Sequence, residues 1–312
     1  MQAVVETAMN LSVVTLAALL FAGPQAEAPD DLESAYTNLK QAEASNDAVK
    51  VKELAAQTCA LARKVASEPA PDSEDATEAW KQKVAHAKDV EHYTEYALYA
   101  VAIKAQPATT VDLLAALEQQ NPKSSYLNNA YGSYIYALHQ SGQASKITPL
   151  AEKGIANFPN NDDLLLVLAD SALTRKQNDR ALSYSERLIN VLTNRPKPEA
   201  VPAAEWERKK TASLGRAYWI AGMIQADKRQ FYEADKDLRA ALPLVKSNEM
   251  MYSNALFQLG VANYQLAMMT RNKVQLNDAI NFSEQVSKMN SPLAQQAWRN
   301  VQAMKAEAVK LR

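Results

Sequence analysis

Residues 128–161 and 162–195 share one apolar skeleton, displaced by 34 positions. The shift takes Tyr131 to Leu165, Tyr134 to Leu168, Leu138 to Ala172, Ile147 to Ala181 and Ala151 to Ser185. A fixed period constrains a chain severely, because each unit must bury its apolar side against the next. Within the first unit Tyr131, Tyr134, Ile135 and Leu138 lie three or four apart, which makes one stripe on a helix over about 127–140. Ile147, Leu150, Ala151 and Ile155 make a second over about 147–157, and Gly142 in Gln-Ser-Gly-Gln marks the turn between them. Asn-Phe-Pro-Asn-Asn at 157–161 ends the unit. Asn-Pro-Lys-Ser at 121–124 and Met-Asn-Ser-Pro at 289–292 read as equivalent ends, since proline cannot continue a helical ladder.

The pattern extends in both directions. Residues 215–248 carry Tyr218, Ala221-Gly222, Phe231, Ala234, Leu238 and Ala241, and residues 253–292 carry Leu256, Leu259-Gly260 and Ala279. Small residues at these places let two helix backbones approach. In the last unit about seven extra residues near 268–275 are expected to lengthen the turn. Residues 91–124 match more weakly through Ala97-Leu98, Leu114, Leu117 and Pro122. The supply of only 7 Gly, and the prevalence of Ala, Leu, Gln, Glu and Lys, favour helix almost throughout. A chain of helix pairs with this period resembles the tetratricopeptide repeat family over about 91–292, in units 91–124, 128–161, 162–195, 203–248 and 253–292. The resemblance implies an all-α fold, a right-handed superhelical α-solenoid of tetratricopeptide-like helix pairs, and a non-enzymatic scaffold for other proteins.

The flanks follow the same logic. In the N-terminal helical region, 29–90, residues 31–67 read as a helix pair turning at Asn46-Asp47. The loop 68–75, Glu-Pro-Ala-Pro-Asp-Ser-Glu-Asp, leads into a long helix over about 76–105. Residues 196–202, Pro-Lys-Pro-Glu-Ala-Val-Pro, break the period ahead of a helix from about Ala203 to Asp227. A last helix at 293–312 would cap the apolar end of the array. Ahead of all this, the apolar run 11–23 and the small-x-small stretch Ala26-Glu27-Ala28 suit a signal peptide within 1–28, hence a periplasmic or secreted protein. Glu6, the lack of Lys or Arg before the run, and Pro29 after the cleavage point run against that expectation; the alternative for 1–28 is a disordered or loosely helical leader, and without export the place would be the cytoplasm. The run is too short for a stable membrane span.

Catalytic chemistry finds no foothold. The three histidines, His86, His92 and His139, form no metal-binding spacing, and the glycines are isolated, so no phosphate loop can form. Cys59 is the one cysteine, in an apolar helical setting that suits a small core residue. Asp30-Asp31 and Asp162-Asp163 fall where helices begin, where carboxylates cap and favour the dipole. Arg208-Lys209-Lys210, beside Glu205 and Glu207, reads as a solvated face. With 34 basic and 35 acidic residues and no long run of either sign, nucleic acid is not an expected partner. No cofactor and no metal are expected.

The resemblance implies that the first helices of successive units line a groove for a protein or peptide. By register that groove takes Tyr99, Tyr136, His139, Asp170, Arg216, Trp219, Met223, Asn254, Phe257 and Tyr264. It is aromatic and nearly neutral, with the Tyr, Trp and Arg that dominate interface energetics. Relatives that clamp the acidic tails of chaperones use basic and amide side chains, whereas the corresponding positions here hold Gly132, Tyr136, Val167, Arg216 and Ile220, of which only Arg216 suits. Alternative readings are a transport module holding a lipid or glycan in a closed apolar pocket among Trp219, Met223 and Phe257, or an accessory subunit of an envelope enzyme complex.

Overall fold

The computed structural model describes residues 31–199 and 201–310, so the expected leader at 1–28 lies outside the described residues. Among the described residues there are thirteen α-helices and no strand. They are α1 (Leu32–Ala44), α2 (Ala48–Ala66), α3 (Glu74–Ala102), α4 (Pro107–Gln120), α5 (Ser125–Gln140), α6 (Ile147–Asn157), α7 (Asp162–Thr174), α8 (Asn178–Asn194), α9 (Ala203–Asp227), α10 (Phe231–Val245), α11 (Glu249–Thr270), α12 (Lys273–Ser287) and α13 (Ala294–Lys310). The protein is all-α.

The turns show why the chain breaks where it does. Five odd-to-even connections each hold one left-handed residue: Asn46, Gly142, Lys176, Arg229 and Arg271, with φ between 53° and 73°. In each, the following amide reaches back to the carbonyl five residues earlier, as in Gln143 N to Leu138 O and Gln177 N to Ala172 O, both 2.8 Å. This satisfies carbonyls left over at a helix end. Gly142 and Lys176 differ by the 34-residue period itself, so the backbone repeats where the side chains do not. At two of the five the next helix is also capped by a side chain: Asp47 accepts from Lys50 N and Asn272 from Val274 N.

Each helix packs on its chain neighbours, and odd helices also touch the next odd helix, from α1–α3 through to α9–α11. The positions related by 34 are buried on this packing: Tyr131, Leu165, Tyr134, Leu168, Leu138, Ala172, Ala181, Ala151 and Ser185. Ala97, Leu98, Leu114 and Leu117 of the weaker unit are buried as well. Gly222 and Gly260 sit at the α9–α10 and α11–α12 crossings. A Cβ on Gly222 would lie 2.5 Å from Leu238 Cγ, and one on Gly260 would lie 2.5 Å from Ser283 Oγ. The close approach expected of these small residues is therefore present.

One expectation is corrected. The seven extra residues near 268–275 do not lengthen a turn: α11 runs on to Thr270, and only Arg271-Asn272 separate it from α12. Met268 and Met269 are good helix formers, and continuing the helix keeps Met268 packed on the apolar cluster of Ala267, Leu276, Val301 and Met304.

Candidate partner-binding face on the odd-numbered helices

A hollow of about 720 Å³ opens where α3, α5, α7 and α9 meet. Most of the side chains that line it are polar, although more of the exposed lining is apolar than polar: Tyr99 from α3, Asn128, Asn129 and Ser133 from α5, Asn161–Asp163 at the start of α7, and Glu205, Trp206 and Lys209 from α9. Arg195, Pro198 and Val201 of the period-breaking segment complete it. Asn161 holds two helices in place. Its Oδ1 accepts from Leu164 N at 3.0 Å, capping α7, while its Nδ2 donates to Asn128 O at 2.8 Å on α5.

Four charges sit at the floor. Arg195 Nη1 lies 2.5 Å from Asp162 Oδ1, and Lys209 Nζ lies 2.8 Å from Asp162 Oδ2 and 2.9 Å from Asp163 Oδ2. The Lys209–Asp162 contact is an ion pair without hydrogen-bond alignment at Oδ2. Burial works to raise the Asp162 carboxyl, but the charge of Lys209 and then of Arg195 outweighs it and holds the carboxyl below its ordinary value. Asp163 goes the other way: burial, and then the adjacent Asp162 charge, raise it despite Lys209. Burial works against the Lys209 charge, and the two carboxylates more than reverse that.

Two turns further along the same helices, Asp170 meets Arg216 at 2.6 Å. The Arg216 guanidinium lies 4.9 Å from the Trp219 ring centroid, and Trp219 Nε1 donates to Met251 O on α11 at 3.0 Å. Lys209–Asp163 and Arg216–Asp170 are both 46 residues apart. A constant separation two turns along each helix requires α7 and α9 to run in the same direction. The α5–α7 and α9–α11 links span only 33 and 32 residues. The α7–α9 step is longer because 196–202 and the early turns of α9 are inserted there. The two ion pairs bridge that enlarged step beside the apolar packing of Leu165 with Trp206 and Ala217 and of Ala169 and Ala172 with Ile220 and Ile224.

All ten groove positions expected from the register lie on odd helices. Tyr136 is 63% exposed, and His139 is exposed too. Tyr99 stacks on Tyr126 with centroids 5.6 Å apart and reaches the hollow. Asp170, Arg216 and Trp219 form one cluster, as above. Trp219 and Met223 pack against Leu238, Ala255 and Leu259, while Phe257 packs against Leu256 and Val286 and Tyr264 against the cluster of Ala267 and Leu276. Asn254 lines a separate cleft beside Met289–Leu293. Ile220 is fully buried and faces no groove.

Sequence reasoning missed Asp162, Asp163, Arg195 and Lys209 as a group. The aspartates do open α7, but they also bind cations from a segment and a helix far along the chain. Lys209 departs from the solvated face expected of its charge run: its side chain is 42% exposed and shared between two carboxylates. Cys59 is buried as expected, and burial pushes its thiol up. No cluster of His, Cys, Asp or Glu able to hold a metal occurs among the described residues, and no helix among them is long and apolar enough to cross a membrane. The chain matches no family model and no curated protein.

Proposed function

We propose that the protein is a non-enzymatic interaction scaffold, an α-solenoid of tetratricopeptide-like helix pairs that binds a protein or peptide along its odd-numbered helices. The observation that carries this reading is the hollow at α3, α5, α7 and α9, whose lining side chains, most of them polar, come from four successive odd helices. Asn128, Asn129 and Ser133 offer donors and acceptors side by side, which suits an extended main chain. The amide, hydroxyl and charged side chains in that wall suit a hydrogen-bonding partner, and Trp219, Met223 and Phe257 are taken up in packing clusters instead of a shared apolar pocket. In this reading the solenoid is right-handed, its concave face is the odd-helix face, and the bacterial envelope is the place of action, the last resting on the apolar run 11–23.

The experiment is paired affinity capture from the native cells. Asn129→Arg with Ser133→Arg fills the hollow with charge at two exposed positions, so folding should be unchanged. The wild type should bring down one partner protein in stoichiometric amount and the double variant should not. Equal recovery by both proteins, or a lipid in place of a protein, overturns the proposal.

A further inference from the structure

A second concavity lies between two even-numbered helices. α2 and α4 are bridged at two points: Lys52 Nζ lies 2.5 Å from Asp112 Oδ1, and Arg63 Nη2 donates to Gln120 O at 2.9 Å. Both bridges advance along the two helices together, so α2 and α4 run in the same direction. Between the bridges is a trough of about 650 Å³, with Ala56 and Ala60 of α2 on one side and Ala116 of α4 on the other. Its floor is Cys59 and Leu98, both buried. The alanines are too short to fill the gap between the helices, and Ala56 and Ala60 are exposed. The polar groups around the trough are already engaged. Lys52 is held by Asp112, Arg63 is shared between Glu91 at 2.6 Å and the Gln120 carbonyl, and Gln120 Nε2 donates to Thr94 Oγ1 at 2.6 Å. Glu53 and Gln119 are exposed to water at the rim.

We propose that this trough binds a single unbranched hydrocarbon chain with a neutral head, about twelve carbons long. The site is separate from the hollow on the odd helices and stands without the scaffold reading. Three observations select this occupant. The first is charge: Lys52 and Arg63 already have carboxylate partners, so a charged head would have to break an existing pair to gain one. The second is shape. The bridges hold α2 and α4 at hydrogen-bond distance at both ends, so a partner helix, about 10–12 Å across, cannot lie down between them. No aromatic side chain lines the trough, so a planar ring or a sugar has nothing to stack on. The third is length. Lys52 and Arg63 are eleven positions apart on α2, which at ~1.5 Å per residue separates the bridges by ~16 Å. Carbon–carbon bonds of ~1.5 Å set in a zigzag place about twelve carbons in that span. The alanines and the neutral thiol of Cys59 give the chain apolar contact along its length, which is the source of its affinity.

The test is equilibrium dialysis of the full chain against radiolabelled straight-chain alcohols from hexanol to hexadecanol, with dodecanoate and adamantanol as competitors. Dodecanol should bind saturably with Kd below about 100 µM. Affinity should rise about two- to fourfold per added methylene up to dodecanol and then level off, because further carbons pass the bridges into water. Dodecanoate should compete no better than dodecanol, and adamantanol should compete poorly. Ala60→Trp fills the trough from an exposed position and should weaken dodecanol at least about tenfold, whereas Ser183→Trp, exposed on α8, should leave it unchanged. Ala56→Glu places a charge in the trough and should weaken it as well; with melting temperatures recorded, it keeps the test open should Ala60→Trp misfold. Absence of saturable binding, affinity that ignores chain length or climbs unchanged to hexadecanol, adamantanol or dodecanoate outcompeting dodecanol, or wild-type binding by the folded trough variants overturns the inference. None of these results bears on partner capture through Asn129 and Ser133.

Discussion

Replacing Gly222 by alanine sets two effects of opposite sign against each other. Glycine inside a helix costs about 1 kcal/mol relative to alanine, so Gly222→Ala in an isolated α9 would stabilise. In the folded protein the new Cβ meets Leu238 Cγ at 2.5 Å, Leu238 Cδ2 at 2.8 Å and the Leu238 backbone N at 3.1 Å. The first contact is a branch point, and the third is the backbone of α10, so no rotamer change relieves both. The helices must separate by about 1 Å, which forfeits a quarter to a half of the dispersion energy of each contact across the gap. Overpacking of this kind costs up to about 3 kcal/mol, so the net loss should be about 2 kcal/mol and the melting temperature should fall by several degrees. Gly260→Ala is the internal control, since its obstacle is the rotatable hydroxyl of Ser283 and the next contact, Ala279 O, is at 3.4 Å. That variant should be near neutral. Urea denaturation of both, together with Leu238→Ala and the Gly222→Ala/Leu238→Ala pair, completes the argument: the double variant should be less destabilised than the sum of the singles, because shortening Leu238 removes the clash. A Gly222→Ala protein as stable as wild type, or strict additivity in the cycle, would refute the close crossing.

Lys176→Gly should stabilise by up to about 1 kcal/mol in chemical denaturation, because Lys176 is exposed at φ 58° where glycine carries no Cβ strain. Asp162→Asn should cost about 1–2 kcal/mol at neutral pH, less than a fully buried pair because Arg195 and Lys209 are partly exposed, whereas Asp163→Asn should cost less. The pH profiles should differ in sign. The lowered Asp162 carboxyl contributes stability above its ordinary pKa that is lost as pH falls through the folded value, and the raised Asp163 carboxyl works oppositely. At alkaline pH, Tyr93 and Tyr134 are both pushed up to about 12, chiefly by burial. Their neutral forms contribute stability below the ordinary value of 10.0 that is lost as pH rises through 12, so phenolate absorbance should show a late phase that coincides with loss of helical circular dichroism.

Much of the fold was legible because burial and period coincide. Positions 34 apart needed only to be apolar, and Tyr131 and Leu165 could stand in for each other without losing the stripe. The turn at 176 was harder, since a lysine occupies the left-handed position that a glycine holds at 142. The extent of α11 was misread because Arg271 and Asn272 close it without glycine or proline, so nothing in the sequence marked the end of the helix. The floor of the hollow was invisible for a different reason. Glu205 and Glu207 lie beside Lys209 in sequence, but its partners are 46 and 47 residues back, across an insertion that erases the register. The Tyr99–Tyr126 stack was half legible: Tyr99 was placed by the register, but its ring neighbour comes from α5, whose offset follows only from the packed helices.

The most direct test of a binding face on the odd helices is site-specific photocrosslinking in the native cells. A benzophenone side chain at Ser133, exposed on α5 in the wall of the hollow, is compared with one at Ser183, exposed on the even helix α8. The account predicts a discrete crosslinked species from position 133 and none from 183. A crosslink from 183 alone, or equal crosslinks from both, would contradict it.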